Sequence, residues 1–340
     1  MVVQRDMFGN DVEIADKLER AKSDRQIAVD YLNATKGVGT AIVASISGGR
    51  SSAYMAVHYP ADYYVFAVVL TEDPNCRIQD KGLLRAVQEK CPVFQGSREL
   101  DQTLLNVLRL EQLIGKEITW VWGKTYDRLI RNRSMIPNQA MRFCTEELKV
   151  YPIFNYTFSR VLSGEYDSEK EMFVCDPIEM QIGFRADEPH RVYKMLGARW
   201  GEDGCWDWSR LGSCENFQAS LKCDIAGQFA GKHRWAEKYE WRFRQAPMFL
   251  EGTTKQVVNR YWEKKGWEFP EISNCDQCFF HTSAEKRRQH QLHPERTSWW
   301  IDQEVKIGNT FDKRGSLSEI LFGDPIPLFD DEQESCACTD

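Results

Sequence analysis

The stretch that most constrains the chain is Ser45-Ile46-Ser47-Gly48-Gly49-Arg50-Ser51-Ser52. Ahead of it runs Thr40-Ala41-Ile42-Val43-Ala44-Ser45-Ile46, a short apolar, β-branched segment that reads as a buried parallel strand. Behind it, Ala53, Met55, Ala56 and Val57 read as the opening of a packed helix. A strand therefore enters a tight Ser/Gly loop, and the loop opens a helix. Adjacent glycines permit positive φ and leave no Cβ between backbone and ligand. The free N–H groups of loop and first turn then converge on one spot that favours an anion. Hydroxyls of Ser47, Ser51 and Ser52 add donors, and Arg50 adds a fixed positive charge. An ordinary strand-to-helix connection needs less than this, and no G-x-x-x-x-G-K pattern is present.

The rhythm before and after the loop is α/β. Residues 11–36 read as an amphipathic helix capped by Asp11. Tyr63-Tyr64-Val65-Phe66-Ala67-Val68-Val69-Leu70 reads as a second buried strand ending at Thr71-Glu72-Asp73-Pro74. Ligands of open parallel sheets sit beyond the carboxyl ends of strands, which brings Asp73 near a nucleotide or metal; a polar loop closed by proline explains it equally well. Helices over 79–90 and 101–114 and short strands at Pro92-Val93-Phe94 and Trp120-Val121-Trp122 continue the alternation. The pattern predicts an α/β fold with a doubly wound parallel sheet.

Three further segments carry chemistry. In Arg142-Phe143-Cys144-Thr145-Glu146-Glu147-Leu148-Lys149, Cys144 or Thr145 can cap a helix running through Phe158 and Val161. A cysteine there, beside Arg142, is expected to have a lowered pKa and more thiolate character. A late strand carried by Met172-Phe173-Val174 and Ile178 to Phe184 ends in Arg185-Ala186-Asp187-Glu188-Pro189-His190-Arg191. A strand-end Arg185 suits phosphate or sulfate; a surface pair with Asp187 is the plainer alternative. Last comes Asn274-Cys275-Asp276-Gln277-Cys278-Phe279-Phe280-His281, whose C-x-x-C reads as a metal or redox pair. With Cys144 it makes three thiolates. These suit a [4Fe–4S] cluster with one open position, with zinc aided by His281 as the alternative.

The loop, the C-T-x-x-L-K segment, the R-A-D-E-P segment and the C-x-x-C stand in the order found in the phosphoadenosine phosphosulfate (PAPS) reductase family. That family lies within the PP-loop, or adenine nucleotide α-hydrolase-like, superfamily. The resemblance covers about residues 40–195 and 245–300. It implies an adenine nucleotide, ATP or PAPS, held by Ser47 to Ser52, Asp73, Arg142, Lys149 and Arg185. It implies chemistry through Cys144, Arg185 and Asp187, and a sulfur donor or thiol reductant as partner. Two departures stand out. Arg50-Ser51 replaces the residue-plus-aspartate pair usual in ATP-cleaving relatives, and the E-C-G-x-H motif of PAPS reductases is missing. Cys336 and Cys338 occupy a comparable tail position and are the remaining catalytic candidates. The leading expectation is sulfur insertion into an activated acceptor, nucleic acid among the candidates. PAPS reduction and a non-catalytic nucleotide sensor with a structural metal are the alternatives.

Composition narrows the setting. A net charge of −7 argues against a wholesale nucleic-acid coat. The polar N-terminus and the lack of a long apolar run predict a cytoplasmic protein with no membrane span. Eleven cysteines in a reducing compartment read as ligands, redox groups or core residues rather than disulfides. Cys76, Cys91 and Cys175 read as buried.

The expected organisation is a nucleotide-binding α/β domain over 1–195 and a Trp/Cys-rich insertion over 196–246. A C-terminal helical, metal-binding part follows over 247–322, with an acidic tail over 323–340. The insertion interleaves tryptophans with Arg199, Arg210 and Arg234, a mix that suits a small tryptophan-packed core better than base stacking. Its Cys205, Cys214, Cys223 and His233 lack knuckle spacing.

Overall fold

In the computed structural model, the described residues are 3–5, 11–161, 165–167, 172–174, 176–212, 218–220, 232–234, 241–270 and 275–323. Five parallel strands form the central sheet: β1 (Ile42–Ile46), β2 (Tyr63–Val68), β3 (Ile118–Trp122), β4 (Ile178–Gln181) and β5 (Arg242–Gln245). Their spatial order is β5-β4-β1-β2-β3. The chain winds outward from β1 through β2 to β3, then returns to the other side of β1. The fold is therefore a doubly wound α/β sheet whose order reverses between β1 and β4.

Alternating side chains explain the layers. Val43, Val65 and Val121 face one side, with α1 (Ile14–Thr35) and the helical run over 143–160 packed on them. Ala44, Ile46, Phe66 and Trp120 face the other. There α2 (Arg50–His58), α3 (Lys81–Lys90), α4 (Asp101–Ile114) and α5 (Lys255–Lys265) cover them. Both faces are buried, so the strands read as near-continuous apolar runs. Asp80 accepts the Leu83 N–H at the start of α3, and Gly115 and Gly266 end α4 and α5 in the left-handed region.

Behind the sheet's β2–β3 end stand α6 (Ser283–Leu292), α7 (Pro294–Ile307) and α8 (Leu317–Phe322). Capping boxes at Thr282/Glu285 and Ser316/Glu319 set where α6 and α8 begin. Trp300, Phe311 and Leu317 join Val69, Tyr126 and Leu148 in one cluster that welds these helices to the sheet.

Several elements differ from expectation. Asp11–Glu13 is a strand paired with Val3–Arg5, so the first helix starts at Ile14. Pro92-Val93-Phe94 is a turn, closed by the Phe94 N–H donating to Cys91 O at 2.9 Å. Met172–Val174 pairs with Glu165–Asp167 as a separate hairpin, leaving Ile178–Gln181 as the sheet strand. Arg242–Gln245, inside the stretch read as an insertion, is an edge strand of the central sheet. No helix among the described residues is long and apolar enough to cross a membrane.

Candidate functional site

The loop between β1 and α2 lies at the point where strand order reverses, against the exit of β4. Gly48 has φ +74, and a Cβ there would stand 2.5 Å from Thr103 Cγ2. A Cβ on Gly183, just past β4, would come within 2.9 Å of the Ser52 backbone. Both positions therefore demand glycine, and together they bring the two strand exits into contact. Hydroxyls brace the loop: Ser52 Oγ accepts the Ser47 N–H at 3.1 Å, lies 3.0 Å from Ser47 Oγ, and donates to Gly49 O at 3.1 Å. The first-turn N–H groups of α2 have no intrahelical acceptor, as at any helix start.

Arg185 closes the crevice from the β4 side. Its Nη1 donates to Ser51 Oγ at 2.8 Å and its Nε to Asp187 Oδ1 at 3.1 Å. Glu188 lies 3.3 Å away and also pairs with Arg191 at 2.7 Å. Asp187 in turn accepts the Lys255 N–H at 3.0 Å. Arg50 points elsewhere: its Nη1 donates to Asn259 Oδ1 at 3.1 Å, on α5.

Asp73 is placed differently from a ligand-facing carboxylate. It is buried, caps the turn Pro74–Cys76 by accepting the Asn75 N–H, and takes Arg98 Nη2 at 3.2 Å.

A second site lies beyond the end of β2. Cys144, Cys275 and Cys278 line one cavity, walled by Val69, Tyr126, Phe279, Phe280 and Trp300. Lys149 lines it too. The run that carries Cys144 and Lys149 starts as Phe143–Thr145, widens to a π-helical turn over Glu146–Val150 and resumes as Tyr151–Arg160. Such π-turns cost helix stability and recur at functional sites. Arg142 precedes the run and lies over the Phe280 ring at 4.9 Å.

The thiols are not the acidic ones expected. Burial pushes Cys144 up to about 11, with the nearby Cys278 adding to it and Thr145, Arg142 and Lys149 opposing. Burial also drives Cys275 well above and Cys278 above the usual thiol range. Helix start and arginine are both present, but enclosure outweighs them. Free thiols held this way are poor nucleophiles at neutral pH; a bound metal centre would displace their protons outright. Burial works against the Lys149 ammonium, but Cys275, Glu99, Cys278 and Cys144 outweigh it and hold its pKa up. The Lys149 Nζ is 3.9 Å from Glu99 Oε1.

In kind, the donor set fits a thiolate-bound iron–sulfur cluster or zinc: three soft ligands, apolar walls and one buried cation. In spacing, no three His, Cys, Asp or Glu side chains among the described residues converge enough to hold a metal ion. Tetrahedral zinc with bonds of about 2.3 Å needs thiolates about 3.8 Å apart. A cluster attaches each thiolate to a different iron and spans a wider triangle. His281 is buried, and burial holds its imidazole at about 3, so it stays neutral.

Sequence reasoning missed Arg98, Glu99, Tyr126, Arg296 and Trp300. The available signal was charge in apolar company: Ser97-Arg98-Glu99 precedes a helix, and Arg296 sits among tryptophans. Cys336, Cys338, Cys175, Cys214 and Cys223 lie outside the described residues, as does the side chain of His233.

No protein-family model and no curated protein matches the chain. Among solved structures, it is similar to the U34-tRNA thiolase NcsA from Methanococcus maripaludis, determined with its [4Fe-4S] cluster. The match covers 93% of this chain and 90% of that one, at 15% identity and a TM-score of 0.34. Likeness at that level carries no argument about activity.

Proposed function

We propose that this chain binds an adenine nucleotide in the crevice between β1 and β4 and transfers sulfur with help from an iron–sulfur cluster at Cys144, Cys275 and Cys278. One observation carries the reading: thiols from two distant parts of the chain line a single cavity with Lys149, at the same carboxyl edge of the sheet as the Ser/Gly loop. The Ser/Gly loop would take the phosphates on its N–H groups, with Arg185 adding charge. Cys144, Cys275 and Cys278 would hold the cluster, and the apolar walls would keep water from the reacting sulfur. A cluster with an open position supplies a site where inorganic sulfur can be held for transfer to an activated acceptor. Lys149 would offset the negative charge of the thiolates. High thiol pKa values favour these three cysteines as ligands over free nucleophiles.

Anaerobic purification with iron, sulfide and zinc analysis tests this. Brown protein with about four irons per chain is expected, with colour lost in Cys144→Ala, Cys275→Ala and Cys278→Ala alike. Colourless protein carrying one tightly held zinc would overturn the cluster assignment.

A further inference from the structure

The two residues between the knuckle cysteines are held more firmly than the cysteines themselves. Asp276 is 2% exposed. Its Oδ2 accepts Arg296 Nε at 2.7 Å and its Oδ1 accepts Trp300 Nε1 at 2.9 Å, both from α7. Arg98 Nη1 lies 3.6 Å from Oδ1, and the Asp276 N–H donates to Arg98 O at 2.9 Å. The clamp is itself anchored. Arg98 is fully buried, stacks on Trp299 at 3.8 Å and pairs with Asp73, while Arg296 Nη2 donates to Glu99 O at 3.1 Å. Two arginines face two aspartates, so the buried charge balances. The neighbouring Gln277 adopts φ +51; its N–H donates to Gln289 Oε1 at 2.7 Å and its Nε2 to Thr297 Oγ1 at 3.2 Å.

We propose that Asp276, gripped by Arg98, Arg296 and Trp300, is the positioning residue that presents Cys275 and Cys278 to the cavity shared with Cys144. This rests on the reading of those thiols as a ligand set. A turn left to itself would let both thiols swing, and each ligand would lose orientation. Here main chain and carboxylate are fixed from three separate segments, so the knuckle is preorganised before a metal centre arrives. The clamp also shares Arg98 with Asp73, which ties the knuckle to the segment that follows β2.

The test uses anaerobically purified full-length protein and follows iron release to bathophenanthroline, with electron paramagnetic resonance of the dithionite-reduced protein. Asp276→Asn is near-isosteric but removes the carboxylate charge, leaving two arginines against one aspartate. It should release iron about 10–100-fold faster than wild type and change the resonance line shape. Glu304→Gln is the control for general loosening. Glu304 accepts the Phe311 and Leu317 N–H groups at 3.0 and 2.7 Å and touches no knuckle residue, so it should lower Tm without changing release. If Asp276→Asn does not fold, Arg296→Lys keeps the charge, gives up the contact to Glu99 O, and should speed release in the same direction. Should wild type hold zinc, release to a chromogenic zinc chelator is read the same way. Release at the wild-type rate from a metal-loaded Asp276→Asn protein overturns the positioning role alone. Wild-type protein with neither iron nor zinc overturns the ligand reading and this inference with it.

Discussion

Removing Arg185 separates ligand binding from fold more cleanly than any other change at the crevice. Its guanidinium bridges Ser51, Asp187 and Glu188, and its side chain is 16% exposed. Arg185→Ala leaves both acids with other partners: Asp187 keeps the Lys255 N–H at 3.0 Å, and Glu188 keeps Arg191 at 2.7 Å. The stability cost should therefore lie between the about 0–1 kcal/mol of an exposed pair and the about 3–5 kcal/mol of a buried pair broken on one side. For a bound phosphate or sulfate the loss is separate. One charge-assisted hydrogen bond contributes about 1.5–3 kcal/mol, which is roughly 10–150-fold in Kd. Titration calorimetry with ATP and with PAPS, beside a thermal melt, reads both quantities. A loss below about threefold for the nucleotide that binds wild type would assign Arg185 to a surface ion pair and refute the crevice as its site. The same loss with a collapsed melt would show that the acids depended on it after all.

Two further outcomes follow from particular contacts. Gly48→Ala should cost about 1–2 kcal/mol for a left-handed residue plus about 1–3 kcal/mol for overpacking on Thr103 Cγ2; in a Thr103→Ser background the second part should shrink, and an unchanged cost in denaturant melts would refute the contact. Asp312 is pushed up by burial but held down at about 2 by Arg314 and Lys286, so it contributes stability above its ordinary 3.8 that is lost as pH falls towards 2; Asp312→Asn should flatten the acid limb of the unfolding free energy by about 2 kcal/mol, and an unchanged limb in denaturant melts would refute it.

The strand–loop–helix unit was legible because its parts agree locally: an apolar strand, glycines, hydroxyls and an apolar helix point one way. The three thiols were legible by residue type, and the fold brings them to one cavity. What local reading could not supply was enclosure. Beside an arginine and a helix start, Cys144 reads as acidic, but it is half-buried against the apolar walls of Tyr126, Phe280 and Trp300, which cut the solvation a thiolate needs. Asp73 reads as free at a strand end because Arg98, its partner, lies in a connecting segment with no periodicity of its own. The edge strand Arg242–Gln245 is polar in sequence. Its Arg242 is nonetheless buried, with Nη1 donating to Met180 Sδ at 3.0 Å and the guanidinium over the Trp241 ring. Long-range partners decided each of these cases.

Charge accounting ties the cavity to its surroundings. Three thiolates on a doubly charged metal centre leave one net negative charge. The enclosure that raises the free thiols would penalise that charge as well. The buried Lys286 acts on Cys278, and the cavity itself is lined by a second buried cation that can offset the charge, Lys149. Its one nearby carboxylate, Glu99, competes for it at 3.9 Å, but burial raises Glu99 towards the neutral form, and Ser97 Oγ and the Val69 N–H occupy its other oxygen. A neutral Glu99 competes only weakly for the Lys149 ammonium. The same logic explains why the clamp on Asp276 is neutral overall: a net charge there would act on the thiols through the same low-dielectric interior.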